Sequence, residues 1–213
     1  MRKQNSIYLR MKILNLYCGI GGNRELWGDD HEITAVEINP KIAAEYKKRY
    51  PNDTVIVGDA HEYLLKHYME FDFVWSSPQC PTHSRTNYFL NAKGVIRYPD
   101  MRLWQEIILL KSFFKGLYCV ENVISYYEPM FNPIVIGRHQ LWVNFKLPKI
   151  PQPKDDIGKM CGKNQTAGKK NITERNAVNP LLGLHVLRCA EAKNIKLCNE
   201  PTQFELWSEQ HFI

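Results

Sequence analysis

Along the chain, short runs of consecutive apolar residues alternate with segments in which apolar residues recur every three or four positions, the two periods that separate buried strands from amphipathic helices. "KILNLY" at 12–17, "EITAVEI" at 32–38, "DTVIVGDA" at 53–60, "FDFVWSS" at 71–77 and "GLYCVENV" at 116–123 predict strands. Helices are predicted from about Asn23, from an Asn39 cap with Pro40 in the first turn until Pro51 stops it, over 61–69, and after Asp100. This βαβαβαβ order predicts an α/β fold, a mostly parallel Rossmann-like sheet flanked by helices. Beyond Phe145 the periodicity lapses, and "NPLLGLHVLRCAEAKNI" then resumes as an amphipathic helix. The expected organisation is an N-terminal extension over 1–11, a core over 12–145, a short basic insert over 146–174 and a C-terminal helix and tail over 175–213 that complete the core.

Composition narrows this picture only modestly. A chain of 213 residues has room for one main domain, and 44% hydrophobic with 23% charged residues is ordinary for a globular protein. No apolar run approaches bilayer length, and the basic first ten residues precede neither an apolar signal core nor a cleavage motif. Six scattered cysteines form no disulfide framework. The expectation is a cytoplasmic protein with no membrane partner, a monomer with free thiols. A net charge of +6 permits a polyanionic partner without requiring one.

In open parallel sheets, ligands bind beyond the carboxyl ends of the strands, so chemistry is sought there. "YCGIGG" follows the first strand, and its glycines allow positive φ and close approach of a ligand. Glu37 ends the second strand eighteen residues after Gly19, where an acid reaches ribose hydroxyls, and Asp59 ends the third. A glycine turn short of the dinucleotide fingerprint, with two acidic strand ends, favours an adenosine ligand without a pyrophosphate, such as S-adenosylmethionine. Either acid equally reads as a cap of the following helix. Cys80 ends the fourth strand between Pro78 and Pro81, stiff neighbours that aim its thiol into the same crevice, although a lone cysteine is more often a small buried hydrophobe. Glu121 interrupts an apolar strand, where a buried carboxyl either pairs with a nearby base or hydrogen-bonds a ring nitrogen and activates it toward a thiolate.

Taken in order, these segments resemble the cytosine-5 DNA methyltransferases. "NLYCGIGG" resembles their cofactor glycine motif, "VEINP" their ribose-binding acid, "GDA" their adenine-contacting motif, "FDFVWSSPQCPTHS" their nucleophile segment, "ENV" their Glu-Asn-Val and "RNAVNPLLG" their late Asn-Ala-Val motif. The resemblance spans about 12–145 and 175–190. It implies S-adenosylmethionine as cofactor, held by Tyr17, Gly19, Gly21, Gly22, Glu37, Ile38, Asp59, Ala60, Pro78, Asn176 and Ala177. It implies DNA as partner and Cys80 as the nucleophile that adds to carbon 6 of a flipped cytosine, with Glu121 at ring nitrogen 3. Arg138, in "IGRHQ", resembles the first arginine of the family's Gln-x-Arg-x-Arg motif and is the third catalytic candidate, although Ile136 and Gln140 replace its neighbours and Arg138 also reads as an ordinary surface or salt-bridged arginine.

Two further departures flank Cys80: Gln79 stands for the family's second proline and Pro81 for its glutamine. Residues 82–102, in which His83, Arg85, Lys93, Arg97 and Arg102 interleave with Tyr88, Phe89 and Tyr98, correspond to the loop that closes over nucleic acid. Ser84, Arg85, Lys93 and Arg97 here, with Lys163, Lys169 and Lys170 in the insert, are the expected nucleic-acid contacts; the bland reading is a solvated loop. The insert is far shorter than a target-recognition region, which predicts relaxed or short-context specificity. The Cys-x-x-His of "CPTH" lacks a second pair, so no metal is expected. Alternatives are the same chemistry on RNA or single strands, and a catalytically impaired module that binds cofactor and nucleic acid.

Overall fold

The structure, a computed structural model, describes residues 10–151 and 177–199, except the side chains of the last five. The extension up to residue 9, most of the basic insert with Lys163, Lys169 and Lys170, Asn176 and the tail from residue 200 lie outside the described residues.

Seven strands form one sheet: β1 (Lys12–Leu16), β2 (Glu32–Glu37), β3 (Thr54–Val57), β4 (Phe73–Ser76), β5 (Leu117–Val123), β6 (Ile134–Ile136) and β7 (His139–Val143). Their order is β3-β2-β1-β4-β5-β7-β6. The first five run parallel. Strand β7 is antiparallel to both β5 and β6, which makes an edge hairpin. The chain winds outward from β1 to β3 and returns to β4 on the other side, so the strand order reverses between β1 and β4. That reversal opens a crevice beyond the strand ends.

Central strands covered on both faces read as continuous apolar runs, and here the two faces have separate cores. One face carries Ile13, Ile33, Phe73, Trp75 and Leu117 against Trp27 and against Leu182, Val186, Leu187 and Ala190 of the last helix, α5 (Pro180–Asn199). Helix α1 (Pro40–Arg49) covers the same face through Tyr46 on Ala35. The other face packs Leu14, Leu16, Val36, Val74 and Val120 beneath Leu64 of α2 (Ala60–His67) and beneath Leu103, Trp104, Ile107 and Leu110 of α4 (Arg102–Phe113). Full burial of each such side chain contributes about 1.5–3 kcal/mol, so helices on both faces are needed to hold the sheet.

The caps follow the sequence. Asn39 accepts from Lys41 N at 3.0 Å, Asp100 accepts from Arg102 N at 3.0 Å, and Asn179 accepts from Leu181 N at 2.9 Å ahead of Pro180. The helix expected from Asn23 does not form. Arg24 N donates to Gly21 O and Trp27 N to Arg24 O, a chain of three-residue turns that ends at Gly28 with φ +74°. So short a segment cannot repay helix nucleation, and its side chains are claimed elsewhere. Arg24 Nε and Nη2 lie 2.9 and 3.0 Å from the buried Asp53 carboxylate, and Trp27 is in the core.

The glycine turn and the late motif meet directly. A Cβ on Gly22 would stand 2.5 Å from Val178 O and 2.8 Å from the Ala177 Cβ, and one on Gly183 would strike the Asn23 backbone. Replacement Gly22→Ala is therefore expected to cost roughly 1–3 kcal/mol by overpacking, seen as a lower urea midpoint at unchanged slope.

Candidate active site

Every candidate that lies among the described residues falls on the carboxyl edge of the sheet or in a loop leaving it. The turn after β1 has φ +53° at Tyr17, +55° at Gly19 and +81° at Gly21. Tyr17 is the only non-glycine with positive φ among the described residues, a conformation that costs about 1–2 kcal/mol. Its hydroxyl is held by a 2.6 Å hydrogen bond to Glu106. Gly19 has open space where a Cβ would stand, and its N–H donates to Glu37 Oε2 at 3.1 Å. Glu37 Oε1 accepts from Asn39 N at 2.9 Å, so this carboxylate bridges the ends of β1 and β2. Beside it Ile38 is 58% exposed, a bare apolar surface at the crevice.

Asp59 acts as the helix cap that its position allowed. Its Oδ1 accepts from His61 N at 2.9 Å and Glu62 N at 3.1 Å, and Oδ2 lies 3.1 Å from the Arg102 guanidinium. Burial opposes its charge, but the Glu62 N–H, Arg102 and the His61 N–H outweigh it and hold the carboxyl below its ordinary range. Ala60 begins α2 and is buried.

Beneath this rim lies a hub that sequence reasoning missed. Glu106 of α4 has no exposed surface. It accepts from the Tyr17 hydroxyl at 2.6 Å and from the Ser76 hydroxyl at 2.6 Å, and lies 3.0 Å from His61 Nδ1. A buried carboxylate is tolerable only when satisfied in this way. The hydrogen bond to Glu106 raises the His61 pKa against burial, and burial with the Glu106 charge pushes the Tyr17 hydroxyl well above the ordinary tyrosine range. The available signal was a glutamate among the apolar residues of "LWQEIILL".

The segment around Cys80 is a tight turn pinned to β5. Asn122 Nδ2 donates to Pro78 O at 3.0 Å, and Cys80 O accepts from His83 N and Ser84 N, both at 3.0 Å. Asn87, fully buried, donates to Pro81 O at 2.8 Å and Ser84 O at 2.9 Å. Cys80 is half-buried; burial first and the Glu121 charge second raise its thiol pKa, while Arg138 pulls it down. Strand pairing brings the turn after β4, Glu121 of β5 and the turn before β7 to the same edge of the sheet. Glu121 lies in the buried stretch of β5, with Oε1 2.6 Å from His139 Nδ1. Arg138 reaches that edge because it sits in the β6–β7 hairpin turn behind Gly137 at φ +58°, and its carbonyl accepts from Ile124 N at 3.3 Å. Gln140 accepts from Ser125 N at 3.4 Å.

The loop that follows divides in two. His83 turns inward, 1% exposed, 2.5 Å from the Tyr127 hydroxyl, and burial lowers its pKa although Asp100 opposes the shift. It is thus a buried neutral group of the turn, set apart from the loop's exposed cations. Ser84 Oγ accepts from Thr86 N at 3.3 Å and from Thr86 Oγ1 at 3.1 Å, inside the turn. Arg85, Lys93 and Arg97 are exposed, beside Tyr88, Phe89, Ile96 and Tyr98, the last 82% exposed. A separate cleft lined by Lys111, Tyr118, Phe131 and Trp142 lies toward the opposite end of β5. Among the described residues, no cluster of three or more His, Cys, Asp or Glu side chains is arranged to hold a metal ion, and no helix is long and apolar enough to cross a membrane.

No family model and no curated protein matches the chain. Solved structures do. The yhhF protein of Escherichia coli, assigned as a methyltransferase, superposes at a TM-score of 0.42 with 16% identity over 64% of this chain and 76% of its own. A SAM-dependent methyltransferase from Agrobacterium tumefaciens gives 0.42 with 14% identity over 57% and 41%. A TehB-like SAM-dependent methyltransferase from Corynebacterium glutamicum gives 0.36 with 17% identity over 54% and 56%. In two of these three, the match spans about half or less of the solved protein. At such scores and identities the likeness carries no argument; the Rossmann-like class expected from the sequence rests on the strand order itself.

The hub has a pH signature. His61 ordinarily titrates near 6.5, and its folded value is raised. The ion pair with Glu106 therefore contributes its full stability below about 6.5, and this is lost as pH rises through the raised folded value. The melting-temperature gap between wild type and His61→Gln is expected to be widest at mildly acidic pH and to narrow toward pH 8, as scanning calorimetry at several pH values would show.

Proposed function

We propose that this protein transfers a methyl group from S-adenosylmethionine to carbon 5 of cytosine in DNA through a covalent bond from Cys80. The observation that carries this reading is the pairing that brings the Cys80 turn, Glu121 and the Arg138 hairpin turn to one edge of the sheet, beyond the paired β4 and β5, beside a crevice suited to an adenosine. The residues present fit that cofactor. Gly19 leaves an open face, Glu37 is fixed where ribose hydroxyls would lie, Ile38 offers an apolar platform, and Asp59, Ala60, Tyr17 and Pro78 line the remaining rim. Gly21 and Gly22 shape the turn, with Ala177 against Gly22.

The resting electrostatics suit a nucleophile that waits for its substrate. Burial and the Glu121 charge keep the Cys80 thiol protonated. A flipped cytosine whose ring nitrogen 3 engages Glu121 removes part of that repulsion and leaves Arg138 to favour the thiolate. Cys80, its proton given up to solvent, bonds through sulfur to carbon 6 as the carbon 5–carbon 6 double bond opens, a proton passed from Glu121 to nitrogen 3 offsets the charge on the ring, and later loss of the carbon 5 proton to solvent expels the Cys80 sulfur and restores the double bond. Bound S-adenosylmethionine supplies the methyl group to carbon 5. The exposed aromatics and cations between Arg85 and Tyr98 are suited to stacking and phosphate contact.

The decisive experiment mixes protein, S-adenosylmethionine and DNA containing 5-fluorocytosine, beside Cys80→Ala, and reads the products by denaturing gel and mass spectrometry. A cofactor-dependent adduct that Cys80→Ala abolishes is the expected result. An adduct on RNA or single strands only would move the substrate, and cofactor binding with no adduct on any nucleic acid would leave a binding module. Separately, Glu37→Gln is expected to weaken S-adenosylmethionine binding roughly 10-fold or more by titration calorimetry.

A further inference from the structure

The pairing open to Glu121 is made with a histidine, His139, and not with an arginine or lysine. Antiparallel pairing sets His139 opposite Val123 and Leu141 opposite Glu121. Glu121 and His139 are thus diagonal neighbours on one face of the β5–β7 ladder, within reach of long side chains. The outcome is a contact of 2.6 Å between His139 Nδ1 and Glu121 Oε1, with both side chains less than a tenth exposed. Gln140, which replaces an arginine of the motif, accepts from Ser125 N instead.

Among the described residues, several other titratable and charged groups face this pair. Cys80, from the loop after β4, and Cys119, on β5, both feel the Glu121 charge, and Arg138, in the hairpin turn, acts on Cys80. On α5, which covers the same sheet face, His185 lies 2.8 Å from Pro148 O, Glu191 lies 2.9 Å from His31, and Arg188 is exposed.

We propose that His139 is the positioning residue for Glu121, holding Oε1 so that Oε2 is presented to the base, and that its protonation sets the net charge Cys80 faces. This rests on the cytosine-5 reading of Cys80 and Glu121. With one proton shared, the His139–Glu121 pair is neutral overall, opposes the thiolate little and can pass that proton through Glu121 to ring nitrogen 3. Once that proton is lost, the pair carries one negative charge directed at Cys80. Adduct formation therefore needs a deprotonated Cys80 and a protonated pair, two requirements that pull in opposite directions with pH and give a bell-shaped profile whose alkaline limb belongs to the pair.

The test measures single-turnover adduct formation on 5-fluorocytosine DNA from about pH 5.5 to 9.5 for wild type, His139→Asn and His139→Ala, with S-adenosylmethionine affinity measured alongside. An asparagine amide places a donor where Nδ1 stands but does not titrate. His139→Ala is expected to slow the adduct roughly 10- to 100-fold at unchanged cofactor affinity. His139→Asn keeps a donor on Glu121 but not the titrating proton, so it is expected to react faster than His139→Ala, more slowly than wild type at neutral pH, and to lose the alkaline limb. A second readout needs no turnover: ¹⁵N-imidazole NMR of His139 should show its titration displaced toward acid in Glu121→Gln. An alkaline limb that survives in His139→Asn, or an imidazole titration unmoved by Glu121→Gln, overturns the proposal. A wild-type protein that binds cofactor yet forms no adduct overturns the methyl-transfer reading instead, and the NMR titration tells the two failures apart.

Discussion

The parallel pairing of β1 with β2 on one side and β4 on the other governs this molecule. Because the chain departs from β1 in one direction and returns in the other, the loops after β1 and β4 are not crossed by a connection, and a crevice is left between them. The glycine turn, Glu37 and the cysteine loop border it because their strands are adjacent and point the same way. The β5 and β7 strands extend the same edge, with the hairpin turn carrying Arg138 back to it.

Much of this was legible in the sequence. Buried parallel strands announce themselves as apolar runs, and a polar residue closing such a run, as Glu37, Asp59 and Glu121 do, can be located without coordinates. The first helix was misjudged because Trp27 and Arg24 answer to the sheet face and to Asp53 across twenty-nine positions, not to local propensity. Strand β6 has three residues, too few for a period to register.

Pairings were less visible than positions. Asp59 offered two readings, and the structure realises the cap, with Arg102 on its free oxygen. Glu106 and His139 went unnoticed because a side chain's role here depends on register: Glu106 meets Tyr17, Ser76 and His61 from three different segments, and His139 meets Glu121 only through antiparallel pairing. Single-residue reasoning sees a glutamate in an apolar helix or a histidine near an arginine, but not the partner that gives it meaning.

The contact of Gly22 with Ala177 and Val178 has a consequence for how the molecule comes to be made. Helix α5 supplies half the cover of one sheet face, over Ile13, Phe73 and Trp75, yet it is synthesised more than a hundred residues after β1. A nascent chain must hold the parallel sheet with that part of the face bare until the last described helix emerges, the long-range order of contacts that makes folding slow and exposes apolar surface on the way. The glycine turn is thus finished from its far side by the segment that leads into the last described helix, so the crevice and the closed core are completed in the same late event.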